Sequence, residues 1–207
     1  MIGLERCKTL MKIETEKKPE KDITKELEKK NWPNQGKIQF INYSAGYRSD
    51  TPIILKNINL EIKPGDKIGI VGRTGSGKSS IVLSLSRIIE AKKGKIMIDD
   101  EDIKNINLEY LRDKLTIVSQ DTFLIESTVR DNIDPLHKYK DKEILEIMDD
   151  FGLFPKLGNE KLNLKIKENG INLSLGEKQL ISFVRAVIKK NKIIILDEAT
   201  SSLDIET

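Results

Sequence analysis

Gly72-Arg-Thr-Gly-Ser-Gly-Lys-Ser-Ser80 is the stretch that decides how this chain is read. Gly72, Gly77, Lys78 and Ser79 fit the spacing G-x-x-x-x-G-K-[ST] of a phosphate-binding loop. Lys67-Ile-Gly-Ile-Val71 precedes it and reads as a short buried strand. Ile81, Val82, Leu85, Ile88 and Ile89 follow at helical spacing and predict one buried helix face. A loop between a strand and a helix is the context that such a pattern needs. Its glycines let backbone N–H groups turn toward an anion, and the helix start adds positive potential. Lys78 supplies a mobile charge for outer phosphates, and Ser79 a hydroxyl for Mg²⁺. The bland alternative is a Gly/Ser turn that happens to contain a lysine. The flanking elements speak against it.

Working outward, 207 residues suffice for one domain of ordinary size, or one domain with a tail. With 36 basic against 33 acidic residues there is no excess of charge for a nucleic-acid surface. One cysteine, Cys7, excludes an internal disulfide and reads as an inert thiol suited to a reducing compartment. No stretch approaches the roughly 18 apolar residues of a membrane span, and the charged start does not read as a secretory signal.

Residues 1–31 interleave acids and bases and read as a charged linker with some helix. Order is expected from Trp32-Pro33. Strands are expected at 37–41, 53–62, 95–99 and 115–119, and a helix at 108–115. Residues 121–172 read as mostly helical, an inserted piece. A helix is expected from Leu173-Ser-Leu-Gly-Glu177, with Leu180, Ile181, Phe183, Val184, Val187 and Ile188 on its buried face. Lys192-Ile-Ile-Ile-Leu196 has the continuous apolar character of a central parallel strand buried on both faces. It ends in Asp197-Glu198, at the strand end where α/β sheets place their ligands. Asp197 is the candidate Mg²⁺ carboxylate beside Ser79. Glu198 points differently in an extended segment, so it is the candidate for polarising an attacking water. The bland alternative makes both simple strand-end acids.

The order of phosphate loop, Gln120, Leu173-Ser-Leu-Gly176 and Ile193-Ile-Ile-Leu-Asp-Glu-Ala-Thr-Ser-Ser-Leu-Asp204 resembles an ATP-binding-cassette nucleotide-binding domain. Trp32-Pro33 with Gly36-Lys-Ile-Gln-Phe40, Tyr47-Arg48, Gly69-Ile-Val-Gly-Arg-Thr-Gly75, and Gln120-Asp121 leading to Asn132-Ile-Asp-Pro135 resemble the second such domain of the C subfamily, the multidrug-resistance-associated type. The resemblance covers about residues 32–207. It implies an α/β P-loop NTPase fold with a mixed sheet core, an antiparallel β subdomain and a helical subdomain at about 121–185. It implies ATP and Mg²⁺, and ATP hydrolysis coupled to export across a membrane. The implied partners are a second nucleotide-binding domain paired head to tail and the transmembrane domains, with the chain at the cytoplasmic face; nucleic acid is not among them.

Residue by residue, the resemblance implies nucleotide contacts from Tyr47 (stacking on adenine), Gly72, Arg73, Thr74, Gly75, Ser76, Gly77, Lys78, Ser79, Ser80 and Gln120. Ser79, Gln120 and Asp197 are implied at Mg²⁺, and Glu198 as the catalytic carboxylate. Ser201, Ser202, Leu203 and Asp204 match the loop that crosses between paired domains. Without the resemblance, Tyr47 would read as a strand-end tyrosine and Gln120 as a loop amide.

Two departures stand out. Leu173, Ser174, Leu175, Gly176 and Glu177 replace the family's Leu-Ser-Gly-Gly-Gln signature. Leu175 blocks a close backbone approach, and Glu177 opposes phosphate by roughly 0.3–1 kcal/mol. Ser174-x-x-Glu177 is also a capping-box pattern. The expectation is a weak signature beside an intact Glu198. Secondly, the chain stops at Thr207, upstream of the family's switch histidine and last strands and helices, so a domain incomplete at its C-terminus is expected. The single histidine, His137, reads as a surface residue. The rival readings are a nucleotide-sensing regulatory domain of a channel-like member and a truncated, non-hydrolysing fragment. A soluble cassette protein is disfavoured by the Trp32-Pro33 match.

Overall fold

The computed structural model describes residues 5–6, 8, 11, 15–19, 21–48, 51–119, 122–152 and 162–197. Cys7, Gln120, Glu198 and the 201–204 segment lie outside the described residues.

Helix α1 (Thr24–Lys29) leads into Trp32 and the first strand, β1 (Ile38–Ala45). Strand β2 (Leu55–Ile62), helix α2 (Lys78–Leu85), strand β3 (Ala91–Ile98) and the short β4 (Glu101–Asp102) follow. These four strands form an antiparallel sheet in the order β2-β1-β3-β4. Helix α3 (Leu108–Lys114) runs directly into strand β5 (Leu115–Val118). Helices α4 (Val129–Ile133), α5 (Asp141–Asp150) and α6 (Leu175–Ile188) come next, and strand β6 (Ile193–Leu196) pairs with β5 in parallel, Leu115 opposite Ile193.

Two cores result. Phe40, Tyr43, Leu85, Ile89, Ile98, Ile106 and Leu111 join the antiparallel sheet to α2 and α3. Val129, Ile133, Ile144, Met148, Ile181, Val184 and Ile188 gather α4, α5 and α6 into a second cluster. Ile144 and Met148 are four apart on α5, as are Val184 and Ile188 on α6, so each pair shares a helix face. The boundary of the packed body lies upstream of Trp32. Leu27 and Trp32 belong to the first core, and the Ile23 amide donates to the Asn105 carbonyl.

Several expectations need correction. Residues 67–71 form no strand and pair with none among the described residues; Ile68, Ile70 and Val71 are exposed. β6 is parallel as expected, yet Ile194 and Leu196 are half exposed, so it is not buried on both faces. The physical reason is shared. A cavity of about 560 Å³ separates 67–71 from β6, with Phe40, Ile62, Ile81 and Leu85 also in its walls, so neither apolar segment gains a neighbour there. Helix α2 ends at Leu85, because Arg87 adopts φ +53°; Ile88 therefore points outward while Ile89 is buried. The 95–99 strand begins earlier, at Ala91. Within 122–152 and 162–172 only α4, α5 and short 3₁₀ turns are helical, and the rest is loop held by side chains such as Asn132.

Candidate functional site

The phosphate loop is set by backbone conformation. Gly75 and Gly77 adopt φ +80° and +96°, the left-handed region that favours glycine. A side chain on Gly77 would also press on Leu55 Cδ2 at 3.2 Å. Gly77 is the residue before α2, and no side chain caps that helix start or places an acid in its first turn. The first N–H groups are thus left for an external anion.

Lys78 lies over the loop itself. Its Nζ donates to the Gly72 carbonyl at 2.9 Å and to the Arg73 carbonyl at 3.3 Å. The Ser76 amide closes the turn on Arg73 O at 3.1 Å. Arg73, Thr74, Gly75 and Ser79 are exposed, whereas Ser80 is buried. The Tyr47 ring is exposed, and its hydroxyl shares a 3.2 Å hydrogen bond with Ser80 Oγ. The tyrosine is therefore pinned to the first turn of α2, with its ring available for stacking.

Asp197 follows β6, and its amide donates to Val118 O at 2.9 Å, extending the β5–β6 ladder by one residue. Lys78 and Asp197 line the same 560 Å³ cavity, brought there from positions far apart in the chain. The Ser79 hydroxyl at an open helix start and the Asp197 carboxylate are hard oxygen donors, the chemistry that suits Mg²⁺.

The signature residues are placed differently. None of Leu173, Ser174, Leu175, Gly176 and Glu177 lines that cavity. Ser174 and Glu177 form a reciprocal cap: the Ser174 amide and hydroxyl each donate to Glu177 Oε2 at 2.7 Å, and the Glu177 amide donates to Ser174 Oγ at 3.2 Å. Leu173 is buried, Leu175 is exposed, and the space over Gly176 is open.

Sequence reasoning missed Arg185. It sits on α6 one turn after Ile181, in a run that reads as apolar, and nothing in that pattern singles it out. Its Nη1 donates to Phe123 O at 2.8 Å and its Nη2 to Asn132 Oδ1 at 3.0 Å; its Nε donates to Asn132 O. Burial pulls its pKa below the ordinary arginine value. Asp134, in the same region, is held below the usual carboxylate value. Burial opposes this, but the Tyr139 and Lys138 amides and the Arg130 guanidinium outweigh it. His137 is exposed, 3.4 Å from Asp131, and does not line the cavity described above.

The profile of the ABC transporter family matches residues 55–201. The metal resistance protein YCF1 of Saccharomyces cerevisiae is 47% identical over 181 residues, 86% of this chain and 12% of its own length. ATP-binding cassette sub-family C member 2 of Rattus norvegicus is 40% identical over 215 residues, 100% of this chain and 13% of its own length. A solved bacterial Atm1-family ABC exporter with ATP bound superimposes with a TM-score of 0.84 at 28% identity, over 99% of this chain and 36% of that one. The chain thus spans about an eighth of the curated relatives it matches. With Lys78 and Asp197 at one cavity, these matches show that the chain belongs to the ABC transporter family and carries its ATPase domain.

Proposed function

We propose that this chain is the ATP-binding and ATP-hydrolysing domain of a C-subfamily membrane exporter, with a linker from a membrane domain upstream of about residue 23, where the packed nucleotide-binding domain begins. The observation that carries it is the convergence of Lys78 and Asp197 on one cavity beside an uncapped helix start. Nucleotide phosphates replace the Gly72 and Arg73 carbonyls as partners of Lys78 Nζ. They also take up the N–H groups of residues 77–80. Tyr47 stacks on the adenine. Ser79, Asp197 and Gln120 would hold Mg²⁺, which would supply positive charge against the phosphates. Glu198 takes the proton of the attacking water. The helical piece at about 121–185 faces the transmembrane domains at the cytoplasmic side. Among the described residues no helix is long and apolar enough to cross a membrane.

A second domain pairs head to tail, with residues 201–204 crossing between the two. It meets the 173–177 segment with its own nucleotide. The self-satisfied Ser174–Glu177 cap favours a poor contact there, which gives the second reading its support: a domain that senses nucleotide and hydrolyses slowly. Turnover of the purified full-length protein separates the two readings. Loss of ATPase activity in Glu198→Gln is the expected result. Equal turnover in both proteins removes the hydrolysis assignment.

A further inference from the structure

We propose that Glu16 and Arg112 form a latch that docks the linker on the far end of the phosphate-loop helix, and that the docked linker strengthens nucleotide binding at the other end of that helix. The proposal rests on the reading of residues 72–80 as the phosphate site and of the residues upstream of about 23 as a linker from a membrane domain.

One guanidinium makes the connection. Arg112, in the last turn of α3, holds the Glu16 carboxylate with two bonds: Nη1 donates to Oε2 at 2.9 Å and Nη2 to Oε1 at 2.5 Å. The Nε of the same side chain donates to Ser86 O at 3.0 Å, and Nη2 also reaches Arg87 O at 3.5 Å. Ser86 is the residue that ends α2. Beside it, Arg87 is buried and paired with Glu90 at 2.8 Å, and its Nη2 donates to Lys17 O at 3.5 Å. Two consecutive linker residues therefore rest on the end of α2. Lys17 meets Arg87 across 70 positions of chain, and Glu16 meets Arg112 across 96.

The contact reaches the loop along a hydrogen-bonded helix. α2 runs from Lys78 to Leu85 with the loop glycine Gly77 at its N-cap. The Ile81 amide donates to Gly77 O and the Ser86 amide to Val82 O, each at 3.2 Å, and Ser84 Oγ donates to Ser80 O at 2.7 Å. So short a helix is marginal by itself. A phosphate on its first N–H groups and a cation on its last carbonyls both stabilise it. Ordering the far end thus lowers the ordering cost that nucleotide binding has to meet, and the two contacts are positively coupled. Glu16 is exposed, and an exposed ion pair taken alone contributes little. Its effect here is through Arg112: two parallel bonds fix the plane of the guanidinium and so keep Nε on Ser86 O.

The experiment is a double-mutant cycle in the purified full-length protein with two readouts: a fluorescent-nucleotide titration, and hydrogen exchange of the α2 amides without nucleotide. Glu16→Gln is expected to weaken nucleotide binding about two- to fivefold at low salt and to speed exchange toward the end of α2, while exchange in α5 stays the same. In an Arg112→Gln background the same substitution is expected to change either readout by less than about 1.5-fold. Salt at about 0.5 M should close the gap between the unsubstituted protein and Glu16→Gln, because an exposed pair is screened. A residue that merely held the fold would keep the gap in salt and give equal losses in both backgrounds, and either result overturns the proposal. So does unchanged affinity or unchanged α2 exchange in Glu16→Gln. Arg112→Lys, which keeps the charge and loses the fork, replaces Arg112→Gln in the cycle if the glutamine variant yields too little folded protein. Retained affinity in Lys78→Ala withdraws the phosphate-loop reading on its own, since the cycle compares Glu16 and Arg112 variants only with one another.

Discussion

Two helix starts in this molecule have opposite fates. Helix α2 begins after a glycine at φ +96°, with no side-chain cap and no acid in its first turn. Helix α6 begins at Ser174, whose hydroxyl and amide are both taken by the carboxylate of Glu177. The short helix α4 repeats the second design with Thr128 and Asp131. A helix start carries unpaired N–H groups and positive potential. Leaving them open makes an anion site at a cost in local stability. Filling them with the chain's own carboxylate stabilises the helix and repels a phosphate. Of the two segments proposed to face nucleotide, one helix start is thus open and the other largely self-satisfied.

The sharpest way to break this contrast is Lys78→Ala. Nucleotide binding is expected to fall by at least about a hundredfold, since a charge facing phosphates in the open site is removed. Retained affinity in a fluorescent-nucleotide titration would mean that the uncapped start is not the site. Tyr47→Ala should cost about tenfold in the same titration through lost stacking, whereas Tyr47→Phe, which only releases Ser80, should cost less. A double substitution, Leu175→Gly with Glu177→Gln, should improve ATP-driven pairing about two- to fivefold, as the opposing charge and bulk leave the capped start. Sedimentation that detects no gain would show that the cap does not limit pairing.

The smallest effect is a pH dependence. Hydrogen bonds from the Ser127 and Thr128 side chains, then the Thr128 amide and His137, hold the Asp131 carboxyl below its usual value against slight desolvation. A depressed folded-state pKa contributes stability that is present above the unfolded value and lost as pH falls through the folded one. The thermal midpoint should therefore drop below about pH 4, and Asp131→Asn should make that acid limb shallower. Nucleotide binding measured at neutral pH should be indifferent to this substitution, because the α4 cap is not part of the open start.

Much of this was legible in the chain, for local reasons. The loop pattern needs only a fixed spacing of glycines and a lysine, so 72–80 could be read directly. The capping box is equally local, three residues from Ser174 to Glu177. Alternating or helical apolar periods marked β1, β2, α5 and α6. Periodicity was misleading where burial depends on a distant neighbour. Ile68, Ile70, Ile194 and Leu196 are apolar by composition and exposed in the fold, because the space beside them is a cavity and not a strand. The Leu27 helix, assigned to a charged linker, joins the first core through contacts that no local window contains.

By itself, then, the amino-acid sequence determined the glycine–lysine pattern at 72–80, Asp197 at the end of a strand, the Ser174–Glu177 cap and the family. Each depends on residue types at short, fixed separations. Only the tertiary structure decided that Lys78 rests on its own loop carbonyls, that it shares a cavity with Asp197, and that Arg185 spans from α6 to Phe123 and Asn132. Those are meetings of groups remote in the chain. Hydrogen-bond geometry and burial select them after folding, and no spacing along the backbone encodes them.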